Sequence, residues 1–321
     1  MISLGLESTA HTFGAAVANS KKILSNEKDS YTTKSGGIIP IDAAKHHEKI
    51  YKELINKALE NAKISLKDID FISYSAAPGL GPCLRVSQNI VKELKLPFVE
   101  VNHCVAHLEV GKFLTKAKDP VLLYASGANT QIIAFEAKKY RIFGETLDQG
   151  VGNFIDSFAR YIGLGFPGGP KIAKLAEKGK EFIPLPYVVK GMDVSFTGML
   201  TNLKQKYDSK KYKIEDLCYS LQETTFAMLL EVSERAMAHC NKNELLLGGG
   251  VACNTILQEK SNIMCKEKGA KCFVPENQYL VDNAAMIATT GISMVKAGYK
   301  LKTKDPKIYP YQRTDQVKVF S

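Results

Sequence analysis

The sequence of 321 residues predicts an α/β protein of two related lobes around a cleft, and two observations carry that reading. A strand, a tight turn of small polar residues and a second strand open the chain, and the same unit returns about 120 residues later, as in a duplicated architecture. Glycine-rich strand-to-helix junctions lie between and beyond these units, where a bare backbone can approach a phosphate.

Taken in order, Ile2-Ser3-Leu4-Gly5-Leu6 reads as a strand, Glu7-Ser8-Thr9-Ala10-His11-Thr12 as a turn and Phe13 to Ala18 as a second strand. Hydroxyl side chains at such a turn leave backbone amides exposed to an oxyanion. Apolar residues at Ile50, Leu54, Ile55, Ala58 and Leu59 recur with a helical period and predict a helix from about Ile41 to Asn61. Phe71 to Ser75 reads as a buried strand, running into a turn-rich loop, Ala76 to Pro82, before a helix near Cys83. The opening unit then recurs as strand Pro120 to Tyr124, turn Ala125-Ser126-Gly127-Ala128-Asn129-Thr130 and strand Gln131 to Phe135. Phe166-Pro167-Gly168-Gly169-Pro170 precedes a helix over Lys171 to Lys178, with Pro170 suited to its first turn. Leu245 to Asn254, holding Gly248-Gly249-Gly250, is a third strand-to-glycine junction opening a helix. Two hairpins facing a shared cleft are the plan of the actin-like ATPase fold of sugar kinases, heat-shock chaperones and actin. The expected lobes are residues 1–119 with 284–321, a returning C-terminal helix, and residues 120–283.

Composition narrows the function classes. The net charge of +10, from 43 basic against 33 acidic residues, favours a polyanionic partner such as nucleic acid. Lysine-rich stretches at Lys138-Lys139-Tyr140-Arg141, Lys210-Lys211-Tyr212-Lys213 and Lys300-Leu301-Lys302-Thr303-Lys304 contribute. Seven cysteines, with no C-x-x-C pair, argue against a disulfide framework or a thiolate zinc site, so a metal would use nitrogen and oxygen ligands. No segment approaches the ~20 apolar residues that span a bilayer, and the first residues lack a signal-peptide pattern. The expectation is a cytoplasmic protein without membrane contact.

Two of the six histidines fall in Val101-Asn102-His103-Cys104-Val105-Ala106-His107. In a helix, side chains at i and i+4 share a face, so both imidazoles could reach one ion; two ordinary packed histidines satisfy the same spacing.

Longer strings resolve the choice. Gly79-Leu80-Gly81-Pro82-Cys83-Leu84-Arg85, Asn102-His103-Cys104-Val105-Ala106-His107, Gly144-Glu145-Thr146-Leu147-Asp148 and Leu185 to Asp193 resemble one family, as do Cys218 to Glu223 and Asp282 to Ile287. It is the archaeal and eukaryotic tRNA threonylcarbamoyladenosine transferase, the catalytic subunit of the KEOPS complex, and the resemblance spans essentially the whole chain in order. It implies transfer of threonylcarbamoyl from threonylcarbamoyl-AMP to N6 of the adenosine at tRNA position 37. It also implies one divalent metal ion, Fe2+ first, with zinc compatible with the same donors. The ligands would be His103, His107 and Asp282, completed by Tyr124, and the first three would be the catalytic set. Adenine-nucleotide contacts, to threonylcarbamoyl-AMP, ATP or AMP, would fall on Tyr124, Ala125, Ser126, Gly127, Ala128, Asp156, Gly169 and Asn254. Partners implied are tRNA, a small kinase-like ATPase subunit and a small dimerising subunit. The chain departs from the family pattern at Ala77, Ala128 and Ala284, where glycine is usual, at Ala173, where an acidic ribose ligand is usual, and in a shorter segment from Val86 to Pro97.

The N6 amine of adenine is a weak nucleophile, so the carbamoyl carbon needs electrophilic activation, which a metal ion and glycine-rich amides can supply. The sequence contains no evident Ser-His-Asp or Cys-His arrangement, so direct transfer is expected. A zinc peptidase of the H-E-x-x-H type would carry Glu after the first histidine, where this chain has Cys104. A simple kinase would rely on carboxylates near the turns, where only Glu7 and Asp148 are available, and would not need the paired histidines. A scaffold presenting tRNA to other subunits is the non-enzymatic alternative. Asp282 is expected to begin a helical segment, and only a fold that closes the two lobes could bring it to His107.

Overall fold

A computed structural model describes residues 1–33 and 37–318, so the last three residues assigned to the first lobe lie outside it. The first half runs β1 (Ile2–Glu7), β2 (Thr12–Asn19), β3 (Ile23–Ser30), α1 (Pro40–Ala62), β4 (Phe71–Ala77), α2 (Gly81–Leu94), β5 (Phe98–Asn102) and α3 (His103–Leu114). Its sheet has the order β3-β2-β1-β4-β5, with antiparallel pairing across β1, β2 and β3 and parallel pairing of β1 with β4 and β4 with β5.

The second half repeats this layout. It runs β6 (Val121–Ala125), β7 (Thr130–Glu136), β8 (Lys139–Glu145), α4 (Val151–Tyr161), α5 (Gly169–Ala176), β9 (Val189–Lys190), β10 (Asp193–Val194), α6 (Thr197–Asp208), α7 (Ile214–His239), β11 (Glu244–Gly248), α8 (Thr255–Glu267) and β12 (Lys271–Phe273). Its five-stranded sheet, β12-β11-β6-β7-β8, has the same mixture of parallel and antiparallel pairs in the same places. The chain then passes α9 (Asn277–Leu280) and returns as α10 (Ala284–Lys296) onto the first sheet. The duplication expected from the two hairpins is therefore present strand for strand.

Glycine makes the return of α10 possible. A Cβ at Gly5 would stand 2.3 Å from the Ala284 carbonyl oxygen, and one at Gly291 would stand 1.9 Å from Ser73 Oγ. Helix and sheet backbones meet at a distance that a larger residue would prevent.

Each half has its own apolar core, and a third core joins them. Val99, Val105 and Leu108 from the first half pack there with Leu122, Tyr124 and Leu246 from the second and with Met286 and Ile287 of α10. At Gly111 a Cβ would lie 2.3 Å from Leu246 Cδ2, so α3 is wedged against β11 between the two sheets. The histidine-bearing helix is held by both halves.

Two boundaries differ from expectation. Asp282 does not begin a helix: Asn283 caps α10, its side chain accepting from the Met286 amide at 3.0 Å, and Asp282 lies in the turn before it. Because Asn283 satisfies the exposed amide, the Asp282 carboxylate can face elsewhere. Likewise the triple glycine leads first into a short 3₁₀ turn, Gly250–Cys253, and α8 begins only after its cap, Asn254. Among the described residues no helix is long and apolar enough to cross a membrane, and all seven cysteines are free.

Candidate metal centre and nucleotide cleft

The paired histidines owe their orientation to the residue before them. Asn102 ends β5 and caps α3, its side-chain oxygen accepting from the Cys104 and Val105 amides at 3.0 and 3.2 Å. The first turn of α3 is thereby fixed, and His103 and His107 lie one turn apart and edge-on, with ring centroids 4.9 Å apart. His103 Nε2 lies 3.1 Å from the Tyr124 hydroxyl and 3.3 Å from Asp282 Oδ1. His107 Nε2 lies 3.5 Å from the same carboxylate oxygen. One ligand atom from each of His103, His107 and Asp282 falls within 4.8 Å of the others, which is the spacing one ion can bridge. The fold has brought the turn before α10 to α3, as the lobe-closing argument required.

The donors suit a divalent cation. The His107 ring is buried, and its Nε2 has only the Asp282 carboxylate, at 3.5 Å, within reach, which leaves that nitrogen open to a cation. Burial holds the His107 imidazole below its ordinary pKa, in the neutral form that binds metals. Burial opposes ionisation of Asp282, but His103 and His107 outweigh it and hold the carboxyl well below its usual range. Burial also pushes the Tyr124 hydroxyl up, so it serves as a neutral donor while no cation is near. Imidazole, carboxylate and phenol together suit iron or zinc.

Glu7 is the functional residue that the sequence reading did not assign to this centre. Fully buried, it accepts at Oε2 from His103 Nδ1 at 3.0 Å, while Oε1 accepts from the Thr9 amide and hydroxyl, both at 2.6 Å. The bond on Nδ1 directs Nε2 at Asp282, the outer support that metal-binding histidines usually have. Burial opposes protonation of His103, but Tyr124, Glu7 and Asp282 outweigh it and hold the imidazole well above its ordinary pKa. Its signal in the sequence was only a carboxylate at a phosphate-like turn.

The expected nucleotide residues fall on the turn after β6, on α4, at the start of α5 and at the cap of α8. Tyr124 and Ala125 end β6, and Ser126, Gly127 and Ala128 turn toward β7. The start of α4 docks on that turn, the amides of Gly152 and Asn153 donating to the Ser126 and Gly127 carbonyls at 3.0 Å each. Gly249, at φ +89, seats the glycine junction on the same turn, where a Cβ would stand 2.3 Å from the Ala125 carbonyl oxygen. From α4, Asp156 Oδ1 accepts from the Gly168 amide at 2.7 Å, and burial raises its carboxyl above the usual range. Space beside Gly169 is open. Asn254 caps α8 through its oxygen and donates to Gln222 Oε1 at 2.9 Å, which leaves its second amide hydrogen for a ligand. His11 of the first turn meets Phe166 edge-on with centroids 5.9 Å apart. Ala173, where the resemblance expects a carboxylate, is an α5 residue with no charge to offer.

Neither rival chemistry gains support. Cys104, which stands where a peptidase would have its base, is buried, and burial raises its thiol. Asp148 accepts from Ser195 Oγ at 2.6 Å and the Thr197 amide at 2.8 Å, so its carboxylate ties down a loop.

Two sheets of one topology around such a cleft define the actin-like ATPase class. Solved structures agree: HypF of T. kodakarensis superposes with TM-score 0.65 over 91% of this chain and 47% of that one at 12% identity. The activator of 2-hydroxyisocaproyl-CoA dehydratase from Clostridium difficile, with bound ADPNP, gives 0.58 over 92% and 96% at 12% identity. At the level of sequence, the model of the TsaD family, tRNA N6-adenosine threonylcarbamoyltransferase, matches residues 22–289. A protein of that name from Thermococcus kodakarensis is 52% identical over 99% of both chains. A probable bifunctional tRNA threonylcarbamoyladenosine biosynthesis protein of Methanosarcina acetivorans is 49% identical over 98% of this chain and 59% of its own length. The chain belongs to the tRNA N6-adenosine threonylcarbamoyltransferase family and is a transferase.

Proposed function

We propose that this chain transfers threonylcarbamoyl from threonylcarbamoyl-AMP to N6 of adenosine 37 in tRNA, releasing AMP, with one divalent ion held by His103, His107, Asp282 and Tyr124. The observation that carries this reading is the convergence of one ligand atom each from His103, His107 and Asp282 within 4.8 Å, with His103 oriented by Glu7. Iron is the ion the family resemblance implies. When bound, such an ion supplies Lewis-acid polarisation of a carbamoyl or phosphate oxygen.

The chain's own residues do the rest. Glu7 holds the His103 ring in place through Nδ1. The Ser126, Gly127 and Ala128 turn, supported by α4, offers backbone amides to the AMP phosphate, and Asp156 accepts from a ribose hydroxyl. Gly169 leaves room for the nucleotide, and Asn254 offers its remaining amide hydrogen. Holding the carbamoyl carbon against the incoming amine converts a slow bimolecular encounter into a positioned one. The longer Methanosarcina relative, of which this chain covers 59%, supports joint work with a further domain. We read the partners as the small kinase-like ATPase and small dimerising subunits of KEOPS.

The test is reconstitution with those subunits, tRNA and supplied threonylcarbamoyl-AMP, followed by modified-nucleoside analysis of the tRNA. His107→Ala and Asp282→Ala should abolish the modified nucleoside, and Asp156→Ala should raise KM for the donor. Wild-type rates in the first two variants would remove the metal from the mechanism.

A further inference from the structure

In two of the three lysine-rich stretches one basic residue is held by a neighbour: Lys302 pairs with Glu100 at 2.6 Å, and Arg141 Nε donates to the Glu136 carbonyl at 3.2 Å. The stretch at the end of α6 is distinguished by the tyrosine rings among its lysines. None of Lys204, Lys206, Lys210 and Lys211 forms a salt bridge among the described residues, and three of them lie over tyrosine rings. Lys204 sits 4.9 Å from the centroid of Tyr161, Lys206 5.0 Å from Tyr212 and Lys210 4.2 Å from Tyr207. Tyr161 and Tyr207 meet edge-on at 6.1 Å, which joins the end of α4 to the end of α6. The one carboxylate inside the patch, Asp208, accepts from the Tyr161 hydroxyl at 2.6 Å.

Stability does not account for this arrangement. Tyr161 and Tyr212 remain 42% and 40% exposed, and exposed cation–π pairs contribute little. Alternating rings and ammonium groups match what an unpaired RNA segment presents, because bases stack on aromatic faces while lysines neutralise phosphates. The position fits as well. The other end of α4 docks on the Ser126 and Gly127 turn, and an 11-residue helix is about 16 Å long, so the patch lies one helix length from that turn.

We propose that this tyrosine and lysine platform at the ends of α4 and α6 docks an unpaired segment of the tRNA substrate; the inference rests on the tRNA reading above. Fluorescence anisotropy of labelled tRNA with the assembled complex, over a range of salt, tests it directly. The triple variant Lys206→Ala, Lys210→Ala, Lys211→Ala should weaken binding tenfold or more and reduce the slope of log affinity against log salt by about two. Tyr212→Ala should weaken binding fivefold or more and Tyr212→Phe should restore it, with melting temperature and turnover at saturating tRNA unchanged. Wild-type affinity in both alanine variants overturns the platform. So does loss of a partner subunit on gel filtration with tRNA affinity retained, which would mark a protein-docking face. A wild-type complex that binds tRNA without modifying it would instead count against the proposed reaction and leave the platform standing.

Discussion

Glu7 stands 3.0 Å from His103 Nδ1, with no exposure to solvent and its other oxygen occupied by Thr9. Removing its charge while keeping its shape isolates its influence on the ring beyond it. Glu7→Gln should lower metal affinity about 10- to 100-fold, the usual cost of losing such a support, as read by chelator competition. His47 is a buried histidine outside this cluster, and its effect is on stability. Burial pushes it from 6.5 down to about 4, against the opposing bond from its Nε2 to the Ala10 carbonyl. Its folded pKa lies below the unfolded value, so its contribution is complete above pH 6.5 and disappears as pH falls toward 4. That loss is about 3 kcal/mol. His47→Gln should therefore flatten the melting temperature between those two pH values, where the parent protein loses stability.

Elements transmit these demands. The cap on α3 aims both histidines, and Asn102→Ala should cost about 1 kcal/mol in denaturant unfolding and also weaken metal binding, because His103 is the residue next to the cap. Gly249 has a different task. Its positive φ and its contact with the Ala125 carbonyl leave no space for a methyl group. Gly249→Ala should cost about 1–3 kcal/mol through backbone strain and displace the Ser126 turn. Calorimetry should then show weakened binding of AMP or ATP, with metal content unchanged. The helices were readable because their apolar faces and prolines are local signals. Asn283 concealed the true start of α10, since a cap is recognised by the bond its side chain makes.

For the molecule as a whole, the proposed metal ligands come from α3, from β6 and from the turn before α10, so an ion held there should bind the folded form and not the unfolded chain. Adding Fe2+ or Zn2+ to chelator-treated protein at 100 times its Kd should stabilise it by about 2.7 kcal/mol. Asp282→Ala should remove that gain, as read by the shift in melting temperature.

The duplicated hairpins and the H-x-x-x-H pair are legible in the chain because each depends on residues close in sequence, where strand alternation and helical period set the geometry. Longer strings also disclosed the family. Convergence of Glu7, His103, Tyr124 and Asp282 is another matter. It depends on Gly5, Gly111 and Gly291 letting helices and sheets approach closely, and on a core shared by both halves. Burial and electrostatic pairing arise only once those distant segments pack, so the neutral His107, the ionised Asp282 and the support from Glu7 are properties of the tertiary structure.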